Sequence, residues 1–139
     1  MYRKILIAHD GSPGAEKAFS SAVEFAARFD AELHMISVEE LPAVPASIDE
    51  VIEEKREGNR LFDKVAGRSR AEATKRSVVL HTHVVTGHAV PRIVEFVERG
   101  EFDLLVVGYM GHSALYNRLI GSTTDRLVEH APCAVLVVK

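Results

Sequence analysis

The chain has 139 residues, one domain's worth against a soft prior of roughly 100 to 200 residues per domain, and it reads as a single domain over 1–139. Its 47% hydrophobic and 27% charged residues lie near globular averages, which excludes disorder from low hydrophobicity, and its one cysteine excludes an intrachain disulfide framework and fits a reducing compartment. A formal charge of -3 and a pI near 6.2 supply no global basic field, so neither nucleic acid nor anionic lipid is an expected partner.

The apolar stretch after Met1-Tyr2-Arg3-Lys4 stops at His9 and Asp10, too short for a secretory signal. No apolar run approaches the roughly 20 residues of a membrane helix, so the expected location is the cytoplasm. Residues 4–9 form a β-branched and leucine-rich run that ends at the turn residues Asp10-Gly11-Ser12-Pro13-Gly14, which predicts a first strand. Ser12 is then an N-cap with proline at the first helical position, and Ala15, Ala18, Phe19, Ala22, Ala26 and Phe29 recur at helical spacing. Residues 33–38 read as a second strand and 39–46, with Pro42 and Pro45, as a loop.

Ser47 with Glu50 three residues on is a capping-box signature that opens a long helix to about Arg76. Between Asp49 and Arg76 seven acids and eight bases alternate, which marks a solvated face and no basic stripe. Gly58 and Gly67 each weaken that helix by about 1 kcal/mol relative to alanine, enough to expect a break or kink. A third strand over 78–85, a helix over 90–99 stopped by Gly100, and a continuous apolar strand over 103–107 follow. The stretch 108–122 precedes a helix over 123–130, Pro132 as breaker, and a last strand over 133–138.

Unbroken apolar strands alternating with helices predict a doubly wound, Rossmann-like α/β fold, a five-stranded parallel sheet with helices on both faces. Ligands of such sheets bind beyond the carboxyl ends of the strands, where the strand order reverses. With the order 3-2-1-4-5, the loops at Asp10-Gly11-Ser12 and at Gly108-Tyr109-Met110-Gly111 share one crevice. With 2-1-3-4-5, the crevice uses Thr86-Gly87-His88 instead. The clustering of glycine favours 3-2-1-4-5. Glycine lets backbone amides close on an anion, so Gly108 and Gly111 can form a cradle. Gly121-Ser122, after nine intervening residues, opens a helix whose first turn offers free amides and hydroxyls. A phosphate chain is the natural guest of the two devices.

Gly108-x-x-Gly111, nine residues, then Gly121-Ser122 resembles the GxxGx9G[S/T] signature of ATP-binding members of the universal stress protein family. Asp10-Gly11-Ser12, and the ending His130-Ala131-Pro132-Cys133 with Val135-Leu136-Val137-Val138, are similar to that family's ends, and the likeness spans the chain. The resemblance implies an adenine nucleotide across the crevice, ATP or else AMP or ADP, with magnesium accompanying ATP. It places Asp10 near the nucleotide, the Val38 backbone at adenine, and Gly108, Gly111, Gly121, Ser122 and Thr123 at ribose and phosphates. His9 departs from the smaller or apolar residue usual in that family, either adding a polar contact or filling space, and Tyr109, Met110 and His112 replace its usual polar residues, which leaves the preferred phosphorylation state open. It also implies a homodimer through the C-terminal strand, an unbroken apolar edge up to Lys139, and a stress-signalling role acting through ligand occupancy and an unidentified protein partner.

Other readings stand beside this one. Asp10 can serve only as a helix cap. His81 and His83 share a strand face at a spacing a zinc pair uses, but a third ligand is not evident, so they read as solvent-facing and no metal site is expected. Cys133 reads as a buried structural residue. Gly111-His112-Ser113-Ala114-Leu115 is one glycine short of a nucleophile elbow, and Asp125 and His130 lie on one short helix, so acyl transfer is disfavoured. His9-Asp10-Gly11-Ser12 is HxGS where nucleotidyltransferases of related architecture carry HxGH, which keeps a nucleotidyl-transfer or slow ATP-hydrolysing enzyme as an alternative. A dimeric interaction module without an essential ligand is a third. There is no GK[S/T], which excludes a Walker-type ATPase.

Overall fold

The computed structural model describes residues 1–40, 47–109 and 123–139. The elements follow in the order β1 (Lys4–Ala8), α1 (Pro13–Phe29), β2 (Glu32–Glu40), α2 (Ile48–Lys75), β3 (Leu80–Gly87), α3 (Ala89–Gly100), β4 (Leu104–Gly108), α4 (Thr123–His130) and β5 (Ala134–Val138). The five strands are all parallel in the order β3-β2-β1-β4-β5, the expected doubly wound arrangement with its reversal between β1 and β4.

Apolar strand residues alternate between two cores. Ile5, Ile7, Leu33, Met35, Leu104 and Val106 face α1 and the inner half of α2, where Phe19, Ala22, Val23, Val65 and Ala73 cover them. Leu6, Ile36, Leu105 and Val107 face α3 and α4, which supply Val90, Ile93, Val97 and Leu127. Helices therefore lie on both faces. Phe19 is fully buried, worth about 1.5–3 kcal/mol relative to exposure.

The helix ends follow local chemistry. Ser12 caps α1, its Oγ accepting from the Ala15 amide, and proline occupies the first turn. In α2 both halves of the Ser47–Glu50 capping box are formed. That helix runs through Gly58 and Gly67 without a break, because its anchoring residues Phe62, Val65, Ser69 and Ala73 lie on one stripe and tertiary packing outweighs two glycine penalties. Nothing before Phe62 in α2 is buried.

Gly100 is the last helical residue of α3, and the left-handed position falls on Glu101 at φ 55. Glycine at 100 answers a steric demand, since a Cβ there would lie 2.4 Å from the Phe102 ring. β2 extends through Glu39 and Glu40, whose charges hid it in the sequence, and β3 starts at Leu80 because Ser77 turns the chain at φ 57. No helix among the described residues is long and apolar enough to cross a membrane.

Candidate functional site

The carboxyl ends of β1 and β4 meet at the reversal. β1 leads into a turn ordered by its own side chains: the Gly11 amide donates to His9 Nδ1 at 3.0 Å, the Ser12 amide to Asp10 Oδ1 at 2.9 Å, and the Ala15 amide to Ser12 Oγ at 3.2 Å. Gly11 adopts φ 84, a region glycine enters without a Cβ penalty. Ser12, not Asp10, is the helix cap. The exposed Asp10 orders the turn just ahead of the positive end of α1.

β4 leaves the sheet at Gly108. A Cβ on this residue would lie 2.8 Å from the Gly14 carbonyl carbon and oxygen and 3.1 Å from the Ala15 nitrogen, so only glycine lets β4 end against the first turn of α1. Its carbonyl accepts the Thr124 hydroxyl at 2.7 Å, which joins the end of β4 to the first turn of α4. The Tyr109 amide donates to the Val138 carbonyl at 2.9 Å and continues the β4–β5 ladder by one residue. Gly108 and the opening residue of α4, Thr123, thus lie at one end of the sheet, while Gly111, Gly121 and Ser122 lie outside the described residues.

Val38 reaches the same end by a difference in strand length. β1 stops opposite Ile36, whose carbonyl accepts the His9 amide at 2.9 Å, but β2 and β3 continue together to Glu40 and Gly87. Backbone polar groups of alternate strand residues point the same way, so those of Val38, two residues on, face the space beyond β1.

His9 is turned into the protein. It is 2% exposed, its ring packs against Phe19 with centroids 6.2 Å apart, and its Nε2 lies 3.7 Å from Glu16 Oε1. Burial holds the imidazole below its ordinary pKa against the opposing pull of Glu16 and Asp10. With Nδ1 accepting from Gly11, the neutral ring carries its proton on Nε2, a buried atom with no hydrogen-bond partner among the described residues. Cys133 is half-buried, and burial pushes its thiol pKa up.

The opposite end of the sheet carries a second cluster. His81 is exposed, but His83 is half-buried, and both stack on His34 of β2 with ring centroids 4.5 and 5.1 Å away. The expectation of two solvent-facing histidines therefore fails for His83. His34 was missed because it sits within an apolar strand 49 residues before His83, and only the β2–β3 register, which sets His34 beside His81, brings them together. A cavity of about 450 Å³ adjoins the cluster, lined by Lys4, His34, His83, Arg92, Phe96 and Phe102 among others.

The model of the universal stress protein family matches residues 1–139. The universal stress protein MJ0531 of Methanocaldococcus jannaschii is 36% identical over 145 residues, covering 100% of this chain and 83% of that protein. The structure of the universal stress protein UspA from Lactobacillus plantarum superposes with a TM-score of 0.86 at 31% identity, covering 99% of this chain and 98% of the other. A universal stress protein solved in complex with cAMP gives 0.80 at 24% identity, covering 99% and 97%. More distant folds of the same kind, each 20% identical, are the Arabidopsis thaliana protein with AMP bound, at TM-score 0.66, and an Archaeoglobus fulgidus protein in complex with dAMP, at 0.67. The match along the full chain, the parallel sheet reversing between β1 and β4, and the relatives named above lead to one assignment: this chain belongs to the universal stress protein family.

Proposed function

We propose that this protein binds an adenine nucleotide in the crevice beyond β1 and β4, and that occupancy of the site, rather than turnover, is what it signals in a stress response. The observation that carries the reading is the Thr124 hydroxyl donating to the Gly108 carbonyl, which brings the end of β4 and the positive end of α4 together beside the first turn of α1. Anions are favoured at such helix starts. Asp10, the Val38 backbone, Gly108, Gly111, Gly121, Ser122 and Thr123 are the proposed contacts, with adenine toward Val38 and phosphates toward α4. The relatives solved with cAMP, AMP and dAMP support an adenine nucleotide as the ligand class. ATP with magnesium is the larger member of that class.

The burial of His9 supports occupancy over nucleotidyl transfer, because a ring 2% exposed with Nδ1 engaged by Gly11 is not presented to a phosphate. We further propose a cytoplasmic homodimer formed through β5, an apolar edge strand, and a protein partner that reads the occupied state. Calorimetry with ATP, ADP and AMP, with and without magnesium, tests the ligand. Micromolar affinity corresponds to about -8 kcal/mol. No binding of any of the three at millimolar ligand overturns the proposal, and phosphate release over many turnovers overturns its occupancy part.

A further inference from the structure

We propose that Glu32, His34 and His81 form a binding site for a late first-row divalent cation of the zinc class, at the amino-terminal end of the sheet and away from the nucleotide crevice. Glu32 and His34 are two apart on β2 and so share a face, and His81 is the register partner of His34 on β3. The backbone thus sets three side chains of ligating chemistry on one patch. One donor atom from each lies within 4.8 Å of the others. Two imidazoles and one carboxylate make a borderline nitrogen and oxygen set, which suits zinc and its neighbours rather than calcium or magnesium. Three protein ligands leave a fourth position open, as in sites where zinc keeps an exchangeable water.

The surroundings order the central ligand. The side chain of His34 is 12% exposed; its ring stacks on His83 and meets the Phe102 ring edge-on at 5.1 Å. His34 Nδ1 lies 2.8 Å from His83 Nε2. As the pair stands, His34 Nε2–H donates to Glu32 Oε1 at 2.7 Å and Nδ1 accepts from His83 Nε2–H; a cation at Nε2 requires the other tautomer of both rings, in which His34 Nδ1–H donates to His83 Nε2. An outer partner of this kind fixes the tautomer and orientation of a ligating histidine.

Zinc–ligand bonds of roughly 2.0–2.1 Å set tetrahedral donors about 3.3 Å apart, so the set, now spread within 4.8 Å, must tighten, while Glu32 Oε1, 2.7 Å from His34 Nε2, must draw back slightly. Glu32 and His81 are exposed, so their side chains have room to close around the fixed His34. The nearby ammonium of Lys4 is engaged elsewhere, donating to the Gly100 carbonyl at 2.7 Å and lying over the Phe102 ring.

The test is calorimetric titration of the chelator-treated, untagged full chain with zinc, paralleled by cobalt(II) and its visible absorption as a report of the coordination shell. One zinc per chain is expected. His81→Ala and Glu32→Gln, both at exposed positions, are each expected to weaken binding at least tenfold, about the lower end of what loss of even an outer-shell partner costs. His88→Ala, an exposed histidine that makes no side-chain cap on α3, is expected to leave binding unchanged. Absence of zinc binding by the unaltered chain overturns the proposal. So does an affinity in His81→Ala and Glu32→Gln equal to that of the unaltered chain, which would put the ion elsewhere, on Cys133 for example. The readout involves no nucleotide, so its outcome is independent of the crevice.

Discussion

The backbones of Gly108 and Gly14 approach so closely that a Cβ on Gly108 would sit 2.8 Å from the Gly14 carbonyl oxygen. Both neighbours are main chain, so neither can swing aside as a long side chain would. Gly108→Ala is expected to cost about 1–3 kcal/mol, the usual range for overpacking. Urea denaturation should show a lower midpoint at an unchanged slope; an unchanged midpoint would mean that α1 shifts freely against β4.

The hydroxyl of Thr124 joins α4 to the end of β4. Thr124→Val keeps the shape and removes the donor, and the expected loss is about 1–2 kcal/mol, since a part-buried carbonyl is left without its partner. Thr124→Ser should recover most of it. Weaker nucleotide binding by the valine variant than by the serine variant, measured by calorimetry, would tie this bond to the ligand site.

His9 has a folded-state pKa below that of the unfolded chain. As pH falls below about 6.5, the unfolded state takes up a proton before the folded state does, so stability present above the unfolded pKa is lost as pH falls toward the folded pKa. The facing charges are Glu16, Asp10 and Arg68. His9→Asn retains an acceptor for the Gly11 amide without titrating in this window. The melting temperature of the unaltered protein should therefore drop more between about pH 7.5 and pH 5.5 than that of His9→Asn. Equal drops would assign the pH dependence to other groups.

Among the described residues β5 pairs with β4 alone, and its residues are half-buried except for Ala134. If a second copy covers this edge, light scattering should return a dimer mass, and Val137→Glu should shift it to the monomer while circular dichroism stays that of the folded chain. A monomer mass for the unaltered chain at high concentration would remove the pairing.

The fold was legible because its strands are short apolar runs bounded by turn residues, and because glycine gathers at two of their ends. That clustering marks the reversal between β1 and β4, where the sheet order places it. Ser12 and the Ser47–Glu50 pair were legible as caps, since capping is settled within four residues of chain. Less local facts were hidden. In the sequence Gly108 reads as part of an anion cradle; its close packing on Gly14 is a second demand for glycine that no local signal shows, because the two lie in distant stretches of chain. The sequence marks Gly100 as the stop of α3, yet Gly100 is still helical and Glu101 takes the left-handed turn. His34 gave no signal of its own, because its neighbours at 81 and 83 come from another strand.

The uneven anchoring of α2 divides one continuous element into two energetic zones. Its 28 residues reach about 42 Å at 1.5 Å per residue, yet the first residue held by the core is Phe62. The stretch before it is a cantilever, held at its tip by the Ser47–Glu50 capping box. Its amides can exchange with solvent through local opening that leaves the sheet intact, while those of the inner turns must await rupture of the α1-side core. The domain therefore extends an arm whose opening free energy owes more to helix propensity than to packing, with the Glu39 side chain of β2 beside Gly58 as its touch on the sheet.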